Sequence, residues 1–394
     1  MKPLGIYIHI PFCKSKCAYC DFYSRLGTKK QMGEYTRALA AHLAEGNLRE
    51  TDYEVDPIYF GGGTPTVLPV SDLSRIVNAI YRNFKVPEEC EMTIEANPES
   101  VTGALLKKLK KLGFNRISFG AQSSCPEELL ELSRIHTFDQ VEEAVQLARA
   151  AEFSNISIDL MYGLPGQTME TFRASLEDVL ALAPEHISCY ALKLEEDTPM
   201  AKNAAAYRFP DEDTVADMYL FAVELLAKHG YEQYEISNFA KPGFASKHNK
   251  KYWDMSEYWG FGPSAHSFMN KMRFHYIADT EAYINGIQTG GEIITKCESA
   301  QPGERAGEYI MLALRTTDGI SAKVLERKYL TYFDEIEKVM LKYHKMGLAE
   351  FDGTNWRLTP RGFLVSNTII TDALLALERS RGVVNRTNIY HKIV

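Results

Sequence analysis

The chain has 394 residues, 45% of them hydrophobic and 24% charged, with a formal net charge of −8 at pH 7. That is more than one ordinary core accommodates, and it leaves room for one large α/β domain with smaller ones attached. The composition excludes a disordered or low-complexity chain, and an acidic balance without any block of Lys or Arg argues against a large nucleic-acid footprint. No apolar run approaches the ~18 residues of a membrane-spanning helix. The opening "MKPLGIYIHIPFC" is too short in its apolar part for a secretory signal and lacks a small-residue cleavage site, so a soluble cytoplasmic protein is expected.

Six β-branched or aromatic runs follow in order: Ile6–Ile10, Pro57–Phe60, Met92–Glu95, Arg116–Phe119, Ile156–Leu160 and His186–Ala191. Amphipathic stretches such as "QMGEYTRALAAHLAEGNL", "SDLSRIVNAIYRNF", "GALLKKLKKLG" and "METFRASLEDVLALAP" lie between them. Strand–helix alternation of this kind predicts a parallel sheet flanked by helices, either doubly wound or a partial barrel, and both place ligands at the C-terminal strand ends. Residues 206–300 break the rhythm and are rich in aromatics, as in "HNKKYWDMSEYWGFGPSAHSFM". From residue 301 to 394 the pattern is helix, helix, then a hairpin of Leu348–Phe351 and Trp356–Leu358 around Asp352-Gly353. That order suggests a winged-helix-like module. The expected division is therefore 1–205, 206–300 and 301–394.

The strand ends carry unusual residues. Strand one runs into Cys13, Cys17 and Cys20, strand two into "GGGTPT", strand three into Glu95 and "ANPE", strand four into "GAQS", and strand five carries Asp159 before "YGLPGQT". Polar, acidic and glycine residues at the same offset in successive strands point to one shared pocket. Seven cysteines are an odd number in a large chain, and in a reducing compartment clustered thiols mean metal or redox chemistry. The spacing C-x3-C-x2-C supplies three thiolates, which on an iron–sulfur cubane leave one iron open to a small molecule. Lys14 and Lys16 flank them and are expected to favour thiolate. The alternative is zinc on three cysteines and a histidine such as His9. Cys90, Cys125, Cys189 and Cys297 are scattered, and none is expected to be a fourth ligand.

The segments "YIHIPFCKSKCAYCDF", "YFGGGTPT", "IEANPE", "RISFGAQS", "IDLMYGLPGQT" and "HNKKYW" resemble, over essentially the whole chain, the radical S-adenosylmethionine (SAM) superfamily. Within it they resemble the oxygen-independent coproporphyrinogen III oxidases and their haem-chaperone relatives. The resemblance implies a partial (β/α)6 radical SAM barrel with a C-terminal helical domain, and a [4Fe-4S] cluster on Cys13, Cys17 and Cys20. It also implies SAM on the open iron, cleaved by one electron to a 5′-deoxyadenosyl radical. Gly62, Gly63 and Thr64 match the SAM-contacting positions. Glu95 would meet the SAM ammonium, Arg134 its carboxylate, Gln122 and Asp159 its ribose; Tyr19 would pack on the adenine, and Tyr7 and Ala191 match further contacts. Taken singly, Glu95 and Arg134 also fit an ordinary ion pair, Asp159 a turn cap, and Gln122 a backbone-satisfying amide.

The oxidases resemble C-x3-C-x2-C-x-C with a long arm before the first strand; here Phe22 stands two after Cys20 and the first run starts at Ile6. "CDFYS" and "HNKKYW" resemble the haem-chaperone branch instead. Haem needs an axial ligand, commonly His, and apolar walls. His248 and His266 lie among Tyr252, Trp253, Tyr258, Trp259 and Phe268 and are the candidate ligands, with Lys247, Lys250 and Lys251 available to the propionates. Core filling, with His248 closing a loop, is the alternative. The resemblance thus implies a chaperone passing haem to acceptor proteins, with an electron donor such as a flavodoxin or ferredoxin and membrane contact only through acceptors. A coproporphyrinogen oxidase or other tetrapyrrole-modifying enzyme is the second reading. A radical enzyme on nucleic acid, using the C-terminal module, is the third.

Overall fold

In the computed structural model, which describes residues 1–299 and 302–380, each of the six apolar runs lies in a strand: β1 (Lys2–Ile10), β2 (Tyr53–Gly62), β3 (Met92–Ala96), β4 (Arg116–Gln122), β5 (Asn155–Tyr162) and β6 (His186–Ala191). They pair in sequence order, each parallel to the next. The side chains alternate along them. Ile6, Ile8 and Ile10, Ile58 and Phe60, Ile117 and Phe119, and Ile156, Ile158 and Leu160 are fully buried in the main core cluster, which the flanking helices share. The opposite face carries Tyr59, Glu95, Arg116, Ser118, Asp159, Ser188 and Tyr190, and all of these line a single cavity. A flat sheet cannot wrap one cavity with residues from five successive strands, β2 to β6, so the sheet curls into a partial barrel.

Two strands start earlier than their apolar runs suggest. Lys2, Pro3 and Leu4 pair with Tyr53, Glu54 and Val55, ahead of an irregularity between Leu4 and Ile6. Charged, Pro and Gly residues there hide the strand from a hydrophobic reading.

Residues after β6 extend the same sheet at both ends. β7 (Glu232–Glu235) and β8 (Asn238–Ala240) add on beside β6. At the other end β9 (Tyr258–Phe261) runs parallel to β1, followed by β10 (His266–Met269), β11 (Met272–Tyr276) and β12 (Ile294–Ser299). Among the described residues the resulting sheet has 12 strands in the order β12-β11-β10-β9-β1-β2-β3-β4-β5-β6-β8-β7. "HNKKYW" forms the helix Lys247–Trp253, capped by the Ser246 side chain. Its Lys247 pairs with Asp56 at 2.8 Å and takes the Glu91 carboxylate on its backbone N–H at 3.0 Å, so it closes the barrel at the strand starts.

Four longer helices, Pro302–Ala313, Ala322–Tyr329, Asp334–Lys345 and Ser366–Ser380, surround the hairpin β13 (Ala349–Phe351) and β14 (Trp356–Leu358). In the hairpin turn Asp352 accepts from the N–H groups of Thr354 and Asn355, and Gly353 takes φ +97°. Residues 381–394 of the expected C-terminal module lie outside the described residues. Among the described residues no helix is long and apolar enough to cross a membrane.

Phe12 anchors the loop that leaves β1. It is fully buried, packs edge-on against Tyr35 with ring centroids 5.5 Å apart, and fills the space beside Gly27. Phe12→Ala should lower stability by about 3–5 kcal/mol in urea denaturation; an unchanged midpoint would show that the loop is anchored elsewhere.

Candidate functional site

The loop after β1 is tied down by backbone hydrogen bonds. The N–H of Cys13 donates to Arg25 O (3.0 Å) and that of Arg25 to Pro11 O (2.8 Å), closing the loop on itself. The end of β2 clamps it from the side, with Gly63 N–H donating to Ile10 O (2.8 Å) and Thr64 N–H to Phe12 O (2.7 Å). A Cβ on Gly63 would sit 2.6 Å from Phe12 O and 2.8 Å from Ile10 O, so nothing larger than glycine fits. Gly62 adopts φ +105° against the His9 ring.

Cys13, Cys17 and Cys20 are all unpaired thiols that line one end of a cavity of about 590 Å³, within the ~300–1,000 Å³ of small-molecule sites. Among the described residues no three His, Cys, Asp or Glu side chains surround a single ion position. A cubane contacts each thiolate through a different iron, so its ligands need not converge on one point. Burial pushes the Cys20 thiol up to about 11 and raises that of Cys13. The flanking lysines do not reverse this, because Lys14 donates to Glu99 O at 2.9 Å and Lys16 reaches Ser24 O at 3.4 Å, while burial dominates. Metal binding itself must displace these protons.

Nine of the ten positions singled out for SAM line this cavity: Tyr19, Gly62, Gly63, Thr64, Glu95, Gln122, Arg134, Asp159 and Ala191. Tyr7 does not. Its hydroxyl meets His9 Nδ1 at 3.1 Å and its ring packs against both Tyr59 and His248, outside the lining. Glu95 and Arg134 do not pair with each other. Glu95 accepts from Tyr59 Oη (2.8 Å) and Gly62 N–H (3.2 Å); Arg134 donates to Asn97 Oδ1 (2.8 Å), Gly120 O (2.7 Å) and Cys17 Sγ (3.4 Å). Asp159 accepts from Ser118 Oγ at 3.2 Å instead of capping a turn. Gln122 takes φ +67°, a strained backbone for a side chain of its size.

Sequence reading missed three neighbours. Asn97 bridges Arg134 to Thr64 Oγ1, which it reaches at 3.2 Å, and Thr64 in turn points at Cys13 Sγ (3.7 Å). Tyr59 holds Glu95. Arg116, only 2% exposed, brings a guanidinium to the cavity wall among Glu91, Tyr59 and Asp159. The signals were present: an Asn directly after β3, and an Arg at the head of a buried strand.

Residues 7–179 match the radical SAM superfamily and residues 301–365 the HemN C-terminal domain. The heme chaperone HemW of Lactococcus lactis is 34% identical over 95% of this chain and 98% of its own length, and that of Bacillus subtilis is 35% identical over 92% and 97%. The chain belongs to the HemW family. Its fold matches that of the Escherichia coli coproporphyrinogen III oxidase HemN with a TM-score of 0.83, over 94% of this chain and 90% of that one, at 22% identity.

The residues of this HemW-family chain fit the superfamily's [4Fe-4S] cluster and SAM. Three thiols sit at the mouth, a glycine cradle leaves backbone exposed, and carboxylate, amide and guanidinium groups line the cavity beneath. A cluster on Cys13, Cys17 and Cys20 would supply electrons and one open iron position; the chain's part would be to hold it, exclude water and orient SAM. Serine at Cys13, Cys17 or Cys20 should abolish cluster absorbance and bound iron after anaerobic reconstitution, whereas Cys125→Ser and Cys297→Ser keep both. Full iron in a Cys17→Ser protein would move the site elsewhere.

Glu95 is pushed up to about 7, first by burial and then by Asp159, against the hydrogen bond from Tyr59. Its folded-state value lies above the ordinary 4.5, so its charge costs nothing below pH 4.5 and costs most above pH 7. Glu95→Gln should therefore stabilise the cluster-free protein relative to wild type at about pH 8 but not at about pH 4.5, by urea denaturation. An equal difference at both would contradict an enclosed, ionising carboxylate.

Proposed function

We propose that the chain is a cytoplasmic haem chaperone, which holds a [4Fe-4S] cluster and SAM at the barrel mouth and passes haem to acceptor proteins. The observation that carries the reading is its identity to heme chaperones named HemW over nearly the full length of both. The cysteine loop supports it: two residues after Cys20 stands Phe22, 67% exposed at the cavity mouth, where the oxidase pattern has a fourth cysteine. An electron donor of the flavodoxin or ferredoxin kind completes the reading, and nucleic acid has no part in it.

The two candidate haem ligands differ in access. His248 is 2% exposed, stacked on Tyr59 at 5.0 Å, bonded to Tyr252 Oη at 2.9 Å, and pushed down to about 3 by burial and then by Lys251 and Arg116. Its Nδ1 has no hydrogen-bond partner, and the imidazole is neutral and closed off from solvent. Of the lysines beside it, Lys247 is paired with Asp56 and Lys251 is buried. His266 is exposed on β10, with its ring 4.8 Å from that of His275. Haem that arrives without rearrangement is placed on His266; ligation by His248 requires the helix Lys247–Trp253 to move.

Anaerobically reconstituted protein should bind haem stoichiometrically, with a shifted Soret band, and load an apo-haemoprotein. With dithionite, SAM and coproporphyrinogen III it should yield no protoporphyrinogen. His266→Ala should weaken the Soret shift and His248→Ala leave it. Protoporphyrinogen formation would sink the chaperone reading, and loss of the band in His248→Ala alone would move the ligand.

A further inference from the structure

Two of the three clustered thiols accept hydrogen bonds from side chains outside their own loop. Thr64 Oγ1 donates to Cys13 Sγ (3.7 Å), and Arg134 Nη1 donates to Cys17 Sγ (3.4 Å). Both donors are held by Asn97. Arg134 Nη2 donates to Asn97 Oδ1 (2.8 Å), and Asn97 Nδ2 donates to Thr64 Oγ1 (3.2 Å). The backbone of Asn97 is itself fixed. Pro98 behind it favours the extended conformation it adopts (φ −90°, ψ 144°), and its carbonyl accepts from Ser100 N–H (2.9 Å) and Ser100 Oγ (2.6 Å). The chemistry of the partners sets which way the amide points. A guanidinium only donates, so the end of the amide that meets Arg134 is its oxygen. The amide nitrogen then faces Thr64 and donates to it. With its oxygen accepting from Asn97, the Thr64 hydroxyl has its own hydrogen left for Cys13.

We propose that Asn97 is a positioning residue that sets the reduction potential of the cluster, by aiming one donor at Cys13 and another at Cys17. This rests on a [4Fe-4S] cluster held by Cys13, Cys17 and Cys20. One electron from a carrier of the flavodoxin or ferredoxin kind adds negative charge to such a cluster and breaks no bond. Hydrogen bonds to the thiolate sulfurs stabilise the added charge and so raise the potential. Only a side chain with an acceptor at one end and a donor at the other orients both partners in this way. A carboxylate at position 97 would accept from Arg134 and from Thr64 alike, and would draw the hydroxyl hydrogen away from Cys13.

The test is an anaerobic redox titration of the full-length, cluster-loaded protein without SAM, followed by electron paramagnetic resonance. Asn97→Leu keeps the size of the side chain and removes both polar ends. It should lower the midpoint potential by about 59 mV, a tenfold shift of the one-electron equilibrium, with bound iron unchanged. Asn97→Ser, whose shorter side chain reaches neither partner, is the second variant and should shift the potential in the same direction. Thr64→Val removes the donor to Cys13 and should lower it as well. Because Asn97 acts partly through Thr64, Asn97→Leu combined with Thr64→Val should fall short of the sum of the two single shifts. Wild-type potentials in both Asn97 variants, or single shifts that add in full, would overturn the proposal and leave the cluster in place. A wild-type protein that holds no cluster would overturn both.

Discussion

Everything at the barrel mouth depends on how closely the end of β2 approaches the cysteine loop. Gly63 and Thr64 donate their backbone N–H groups to Ile10 O and Phe12 O, and the Cβ space of Gly63 is already filled by those same carbonyls. This contact orients the loop over the strand ends. From there Phe12 holds the base of the loop in the core, Thr64 reaches Cys13, and Asn97 ties Thr64 to Arg134, which itself reaches Cys17. Two of the three thiols are thus connected to strands β2, β3 and β4 through polar side chains and not only through their own loop.

The second constraint is the two-faced character of the parallel strands. Outward positions are Ile, Phe and Leu under helices, and inward positions are Tyr, Glu, Arg, Ser and Asp. Burial raises both Glu95 and Asp159, while Arg116, Ser118 and Ser188 partly offset the penalty on Asp159. Such a lining is expensive without a ligand, and groups of that kind cluster where a protein binds polar molecules. The helix Lys247–Trp253 completes the enclosure at the far end by stacking His248 on Tyr59 and Tyr7.

The apolar runs marked the six barrel strands because their outward residues are uniformly hydrophobic. The cysteine loop and the glycine cradle stand out in the sequence because each lies at or just past the end of a strand, and Glu95 and Asp159 because each lies towards the C-terminal end of one. Depth was not. Tyr7 and Tyr59 are register partners on neighbouring strands, yet only Tyr59 reaches the cavity; a motif gives a residue's place in the chain, not how far a neighbouring ring covers it. The short strands β7–β12 escaped because segments of three to six residues carry too little alternation. The influence of Lys14 and Lys16 on the thiols was overestimated, because local charge in sequence says nothing of burial in space.

The account's central claim is that three thiolates from one loop hold a cubane whose remaining iron is left for SAM. Mössbauer spectroscopy of protein reconstituted with ⁵⁷Fe, recorded with and without SAM, tests it most directly. The account predicts a [4Fe-4S] spectrum in which SAM shifts one iron and leaves the others unchanged. A spectrum that SAM does not alter, or a preparation that holds tetrahedral zinc in place of iron, would contradict it.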